Sequence, residues 1–204
     1  MNEIPASAPP TAPTEVVNVT LVTTPACHFC DDAHQRLHAL ERAGLLRLTA
    51  VPAESPQGEA LIAEHRPKFV YLIPTFGNPS GATLSLERRR KVLELAVKYQ
   101  TVVVEDDPYG DLYFGEAPPP SLLALSREVP GSREWLVHCG SLSKVLSPGL
   151  RVGWMIAPAA LLAKATMCKQ FSDAHTSTFA QATAAQYLKA GRMPGTLAHV
   201  RKVY

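Results

Sequence analysis

Four short apolar runs constrain the fold of this chain more than any other feature. They are Lys68–Pro74 (KFVYLIP), Thr101–Glu105 (TVVVE), Trp135–Cys139 (WLVHC) and Arg151–Ala157 (RVGWMIA). Their hydrophobicity is near-continuous rather than alternating, as in strands buried on both faces of a parallel sheet. Between the first two, Ser85 is an N-cap for a helix over Leu86–Gln100 that turns Leu93, Ala96 and Val97 to one side. The basic run Arg88-Arg89-Arg90-Lys91 in this helix reads as its solvated face. Further helical stretches lie at 159–173 and 177–190, and another begins near Pro194. Strands alternating with helices predict an α/β layered domain.

Composition narrows the function classes. The 204 residues are 46% hydrophobic and 19% charged, with a formal net charge of +2. That balance suits a core-forming globular chain and offers neither a basic stripe for nucleic acid nor an acidic tail. No stretch approaches the ~20 apolar residues that cross a membrane. Residues 1–15 carry Pro5, Pro9, Pro10 and Pro13 without a basic or apolar signal region, and read as a disordered, polyproline-like leader. Cys27, Cys30, Cys139 and Cys168 form no disulfide framework and suit a reducing, cytoplasmic setting.

The segment 16–66 has its own pattern. Val16–Thr23 is β-branched and strand-like, and a turn at Thr24-Pro25-Ala26 leads to Cys27-His28-Phe29-Cys30. Helical spacing of Ala33, Leu37 and Leu40 follows over 31–42, with Gly44 as the stop, then a second strand at Leu45–Val51 and a short helix at Gln57–His65. This order resembles the first half of a glutaredoxin- or thioredoxin-like domain. The resemblance implies Cys27 as nucleophile and Cys30 as resolving thiol, with helix N-terminal N–H groups stabilising the thiolate. No second ligand pair is spaced to complete a zinc site, so no metal is expected.

Four short motifs sit at the ends of the later elements: Asn78-Pro79-Ser80-Gly81, Asp106-Asp107-Pro108-Tyr109, Ser141-Leu142-Ser143-Lys144, and Pro148-Gly149-Leu150-Arg151 leading to Gly153-Trp154. Singly, each is an ordinary turn or loop. Together and in this order they resemble the large-domain signature of class I/II (fold-type I) aminotransferases that use pyridoxal 5'-phosphate (PLP). The branch it is most similar to contains aminoadipate-type transaminases and the aminotransferase halves of MocR-like regulators. The resemblance implies that Lys144 is the Schiff-base lysine and moves the substrate's α-proton. It implies Asp106 as the carboxylate facing the pyridine nitrogen. Asp107 is a rival, but the family spacing of three residues to the tyrosine favours Asp106. Tyr109 and Asn78 would hydrogen-bond the ring's 3-oxygen, and Ser141, Ser143 and Arg151 would grip the phosphate. His138, Cys139 and Trp154 read as core, and His175 has no assigned role.

The fold expected is therefore α/β: a partial PLP-transferase large domain at 68–204, with a mostly parallel sheet and flanking helices. A partial thioredoxin-like segment at 16–66 and the leader at 1–15 precede it. The function expected is amino-group transfer between an amino acid and a 2-oxo acid. Thiol–disulfide exchange by Cys27 and Cys30 is the alternative. A homodimer is implied by the family, and no nucleic acid or membrane partner is expected. The arginine that binds the substrate carboxylate in this family comes from a small domain that would begin near Tyr204, so none is named. Two partial domains joined near 64–68, each without elements that bury its core, predict marginal stability. Residues 1–66 hold no counterpart of the basic winged helix of MocR-like regulators.

Overall fold

A computed structural model describes residues 17–23, 38–44, 46–52, 56–78, 81–115, 117 and 119–203. The leader and the Cys27–Cys30 pair lie outside the described residues. Strand β1 (Val17–Thr23) pairs in parallel with β2 (Leu46–Pro52), Val17 opposite Leu46 and Thr23 opposite Pro52. Residues 38–42 between them are helical. A parallel pair needs such a crossover, because a hairpin can join only antiparallel strands.

After α1 (Pro56–His65) comes the second sheet, built from β3 (Phe69–Leu72), β4 (Val102–Asp107), β5 (Leu136–Ser141) and β6 (Gly153–Ile156) in that spatial order. The first three strands run parallel and β6 is antiparallel to β5. Helix α2 (Leu86–Tyr99) connects β3 to β4, and the single turn α3 (Leu122–Leu125) lies between β4 and β5. Three helices follow β6: α4 (Ala159–Asp173), α5 (Thr178–Lys189) and α6 (Met193–Val203). The α/β class with a mostly parallel sheet is as the sequence predicts.

Helix α2 shows why the pattern was readable. The Ser85 hydroxyl accepts the Arg88 N–H at 3.3 Å, which satisfies one donor of the first turn. At the other end Gln100 turns left-handed (φ 52°) and returns its N–H to the carbonyls of Ala96 and Val97. Leu93 and Ala96 join Val103, Leu122, Leu125 and Leu136 in the main core, between α2, α3 and one face of the sheet. Full burial of one such leucine contributes roughly 1.5–3 kcal/mol.

Three expectations need correction. The basic run is not a uniform solvated face, because Arg89 is fully buried. Its guanidinium donates to the carbonyls of Leu84 (2.9 Å), Pro120 (3.0 Å) and Pro74 (2.6 Å) and to the Thr75 hydroxyl (2.9 Å). Those acceptors belong to three loop segments that only a long, many-donor side chain can tie together. The strands are also not buried on both faces: β3 alternates exposed and half-buried, and Phe69, Tyr71 and Met155 are exposed on the face away from α2. Trp154, expected in the core, is 45% exposed. Its indole lies across Gly140 on the neighbouring strand, where a methyl group would sit 2.3 Å from the ring.

Candidate active site

Parallel strands deliver their following loops to one edge of a sheet. The antiparallel β6 starts at that same edge, since Gly153 lies opposite Ser141. This edge therefore gathers the loop after β3 with Asn78, the end of β4 with Asp106 and Tyr109, the turn after β5 with Ser141, Ser143 and Lys144, and Arg151 just before β6. All seven residues singled out for cofactor binding come to the carboxyl-end edge. Open α/β sheets bind ligands at such edges.

Local chemistry shapes each loop. Asn78 is exposed in a tight turn closed by Gly77 N–H to Ala82 O (2.9 Å) and Gly81 N–H to Gly77 O (2.7 Å). Gly81 supplies the positive φ (70°) that this turn requires. The Ser141 hydroxyl accepts the Ser143 N–H at 3.0 Å and so starts the turn that carries Lys144. Leu146 and Ser147 N–H both reach the Leu142 carbonyl, while Leu142 N–H reaches Val152 O. Leu142 and Val145 are buried with Leu112 and Ala184 in a second core that Tyr109 packs against. Lys144, between those two anchors, is exposed. Arg151 takes a left-handed conformation (φ 53°) as the chain enters β6.

The two neighbouring aspartates separate because side chains alternate across a strand. Asp106 shares the open face with Tyr71, whose hydroxyl donates to Asp106 Oδ2 at 2.5 Å. Burial, and then this bond, push the Tyr71 hydroxyl well above the ordinary phenol range, so it stays a donor. Asp107 turns to the other face, where its Oδ1 accepts the Gly110 N–H at 3.0 Å. A side chain at position 110 would meet that carboxylate at 2.7 Å and would have to push it aside. Burial, and then Glu105, raise the Asp107 carboxyl above its usual range.

Glu105, His138 and Asp107 offer metal-type atoms within 4.8 Å of one another. Their hydrogen bonds give them another role. The fully buried Glu105 carboxylate accepts Leu122 N–H (2.6 Å), Leu123 N–H (3.1 Å) and His138 Nδ1 (2.8 Å). It therefore starts α3 and ties that turn to β5. Its bond to His138 raises the imidazole's affinity for a proton, against the opposing effect of burial. His138 is thus core, as expected, while Cys139 is only half-buried on the open face beside Asp106. His175 is exposed, with Nδ1 2.8 Å from the Thr176 carbonyl.

Sequence reasoning missed Tyr71, Arg89 and Arg201. Arg201 on α6 donates twice to the Asp111 carbonyl (3.0 and 2.8 Å) and stacks 3.9 Å over the Tyr113 ring. It thereby ties the last helix to the turn after Tyr109. Only Tyr71 carried a legible signal: it is a polar-tipped side chain in an otherwise apolar strand, on the side that faces Asp106 once the strands are aligned.

Known proteins resemble this chain over most of its length. The profile of the family "Aminotransferase class I and II" matches residues 23–196. The 2-aminoadipate transaminase of Thermus thermophilus is 44% identical over 165 residues, 78% of this chain and 40% of that protein. The HTH-type transcriptional regulator YisV of Bacillus subtilis is 35% identical over 82% of this chain and 34% of its own length. Among solved structures, the α-aminoadipate aminotransferase LysN of Thermus thermophilus, complexed with N-(5'-phosphopyridoxyl)-L-leucine, superposes with a TM-score of 0.69. It is 38% identical, over 93% of this chain and 47% of its own. The chain thus spans less than half the length of these relatives. The match begins inside the segment set apart at 16–66, and a thiol–disulfide function draws no support from these relatives. A chain with this sheet, this edge and these relatives belongs to the class I and II aminotransferase family.

Proposed function

We propose that this chain forms the cofactor-binding core of a PLP-dependent aminotransferase, which moves an amino group between an amino acid and a 2-oxo acid. The observation that carries the reading is the convergence of Asn78, Asp106, Tyr109, Ser141, Ser143, Lys144 and Arg151 on one sheet edge. The donor set fits PLP. Hydroxyls and a guanidinium suit a phosphate, a carboxylate suits a protonated ring nitrogen, and a lysine suits an aldehyde. When bound, PLP supplies an electron-accepting ring joined to the substrate's nitrogen.

The remaining work falls to the chain. Ser141, Ser143 and Arg151 hold the phosphate end. The Asp106 carboxylate would favour a proton on the ring nitrogen by opposing its charge. Asn78 and Tyr109 orient the ring through its 3-oxygen. Lys144 Nζ would be the residue that holds the cofactor covalently and, once the substrate's amine has displaced it, the free amine that takes and returns the α-proton. Asp106 is favoured over Asp107, whose carboxylate is engaged by the Gly110 turn on the opposite face.

The substrate class comes from the relatives' names, which make 2-aminoadipate the first amino donor to test. A homodimer and a cytoplasmic setting are further parts of the proposal, supported by the family and by the cysteine usage. Among the described residues, no helix is long and apolar enough to cross a membrane.

The test is mass spectrometry of the chain after incubation with PLP and reduction with borohydride. A single cofactor adduct on the peptide containing Lys144, lost in Lys144→Ala, is the expected result. No adduct, or adducts spread over several lysines, refutes the reading.

A further inference from the structure

We infer that Tyr71 is a positioning residue for Asp106, fixing the carboxylate that faces the cofactor's ring nitrogen; this rests on the site proposed above. Tyr71 lies on β3 opposite Val104, and Asp106 lies two residues further along β4 on the same face. The hydroxyl reaches Asp106 Oδ2 at 2.5 Å. Among the described residues, Asp106 Oδ1 accepts no hydrogen bond, so the phenol holds one oxygen and leaves the other to face a ligand.

The neighbours of Asp106 offer no substitute for this contact. Opposite it on β5 is Cys139, whose thiol burial and then Asp106 itself keep protonated above the usual range. A thiol is a weak donor. Glu105, Asp107 and His138 point to the other face, where they bond one another, α3 and the Gly110 turn. Tyr109 packs into the second core. Tyr71 is thus the strong donor on this face that bonds Asp106.

A carboxylate with two torsions free in a half-open site presents its oxygens in many directions. A donor that pins one oxygen removes that freedom before the ligand arrives, which is how supporting contacts raise affinity. The phenol does this without a charge of its own, so it adds no ion that would compete with the ring nitrogen for Asp106.

The experiment is a double-mutant cycle read by the dissociation constant of PLP on the full chain, with thermal melts of the cofactor-free proteins alongside. Tyr71→Phe removes only the hydroxyl. It should weaken PLP about five- to tenfold, in the range of the net contribution of one typical hydrogen bond. It should also reduce the circular dichroism of the bound cofactor's visible band while leaving the cofactor-free melt unchanged. Asp106→Asn should weaken PLP more, and adding Tyr71→Phe to it should cost nothing further. Independent, multiplying losses, or wild-type affinity in Tyr71→Phe, overturn the role of Tyr71. No Lys144 adduct in the parent chain overturns the site reading and this inference together. An intact adduct with multiplying losses overturns this inference alone.

Discussion

At the residue scale, two buried charges sit away from the proposed chemistry and hold its supports. Arg89 has carbonyl and hydroxyl acceptors on the loops at Pro74–Thr75, Leu84 and Pro120. Burial lowers its proton affinity, yet a guanidinium remains charged in any protein. Replacing it by methionine would strand several buried carbonyls, so Arg89→Met should destabilise the chain by about 3 kcal/mol or more. Arg89→Lys should recover only part of that, since one ammonium cannot span three loops. Urea midpoints measure both. His138 gives a pH signature. Its bond to Glu105 raises its pKa in the folded chain, so the protonated imidazole stabilises the fold below the ordinary value of about 6.5. That contribution is lost as pH rises through the raised folded value. Melting temperature should therefore fall as pH rises above the ordinary histidine value of about 6.5 and through the raised folded one, and His138→Gln should flatten that portion of the profile.

At the element scale, the β5–β6 pair depends on one absent side chain. Trp154 crosses Gly140, and a Cβ there would collide with the indole at 2.3 Å. Gly140→Ala should displace the ring and cost about 1–3 kcal/mol through overpacking. In a Trp135→Phe background, the remaining tryptophan emission should shift to the red as Trp154 moves into water. An unshifted spectrum with wild-type stability would show that the strand pair adapts without strain. The contrast with α2 shows what the sequence exposes. Strand and helix positions were legible because Leu93, Ala96 and the TVVVE run follow fixed periods, and because Ser85 caps in a recognisable way. The edge residues were legible through the order of four motifs. Which basic residue of 88–91 turns inward was not, because Arg88, Arg89 and Arg90 are chemically alike and only the positions of three distant loops distinguish them. Tyr71 and Asp106 meet through a strand register set 35 residues apart, and Trp154 leaves the core because its partner is a glycine one strand away. Such relations are properties of pairing, invisible to a reading along the chain.

At the scale of the whole molecule, exposed apolar surface is concentrated on β6 and the helices after it. Every residue of β6 is exposed, and α4 has no buried residue. Phe171 and Phe179 are 87% and 80% exposed. Isolated exposed apolar residues are ordinary, but a run of them across consecutive elements marks a surface made for contact or prone to association. Stability and surface behaviour should then respond to different residues. Leu93→Ala, in the main core, should cost about 2–5 kcal/mol by opening a cavity. Phe171→Asp and Phe179→Asp remove side chains that bury little, so each should change stability by no more than about 0.5 kcal/mol. The same two changes should lower the fluorescence of an apolar dye and reduce concentration-dependent light scattering, because they place charge in the exposed patch. Urea melts and dye titrations on the three variants separate the cases. If Phe171→Asp destabilises the chain as much as Leu93→Ala, then α4 is packed in solution, and the exposed face is an interface already filled.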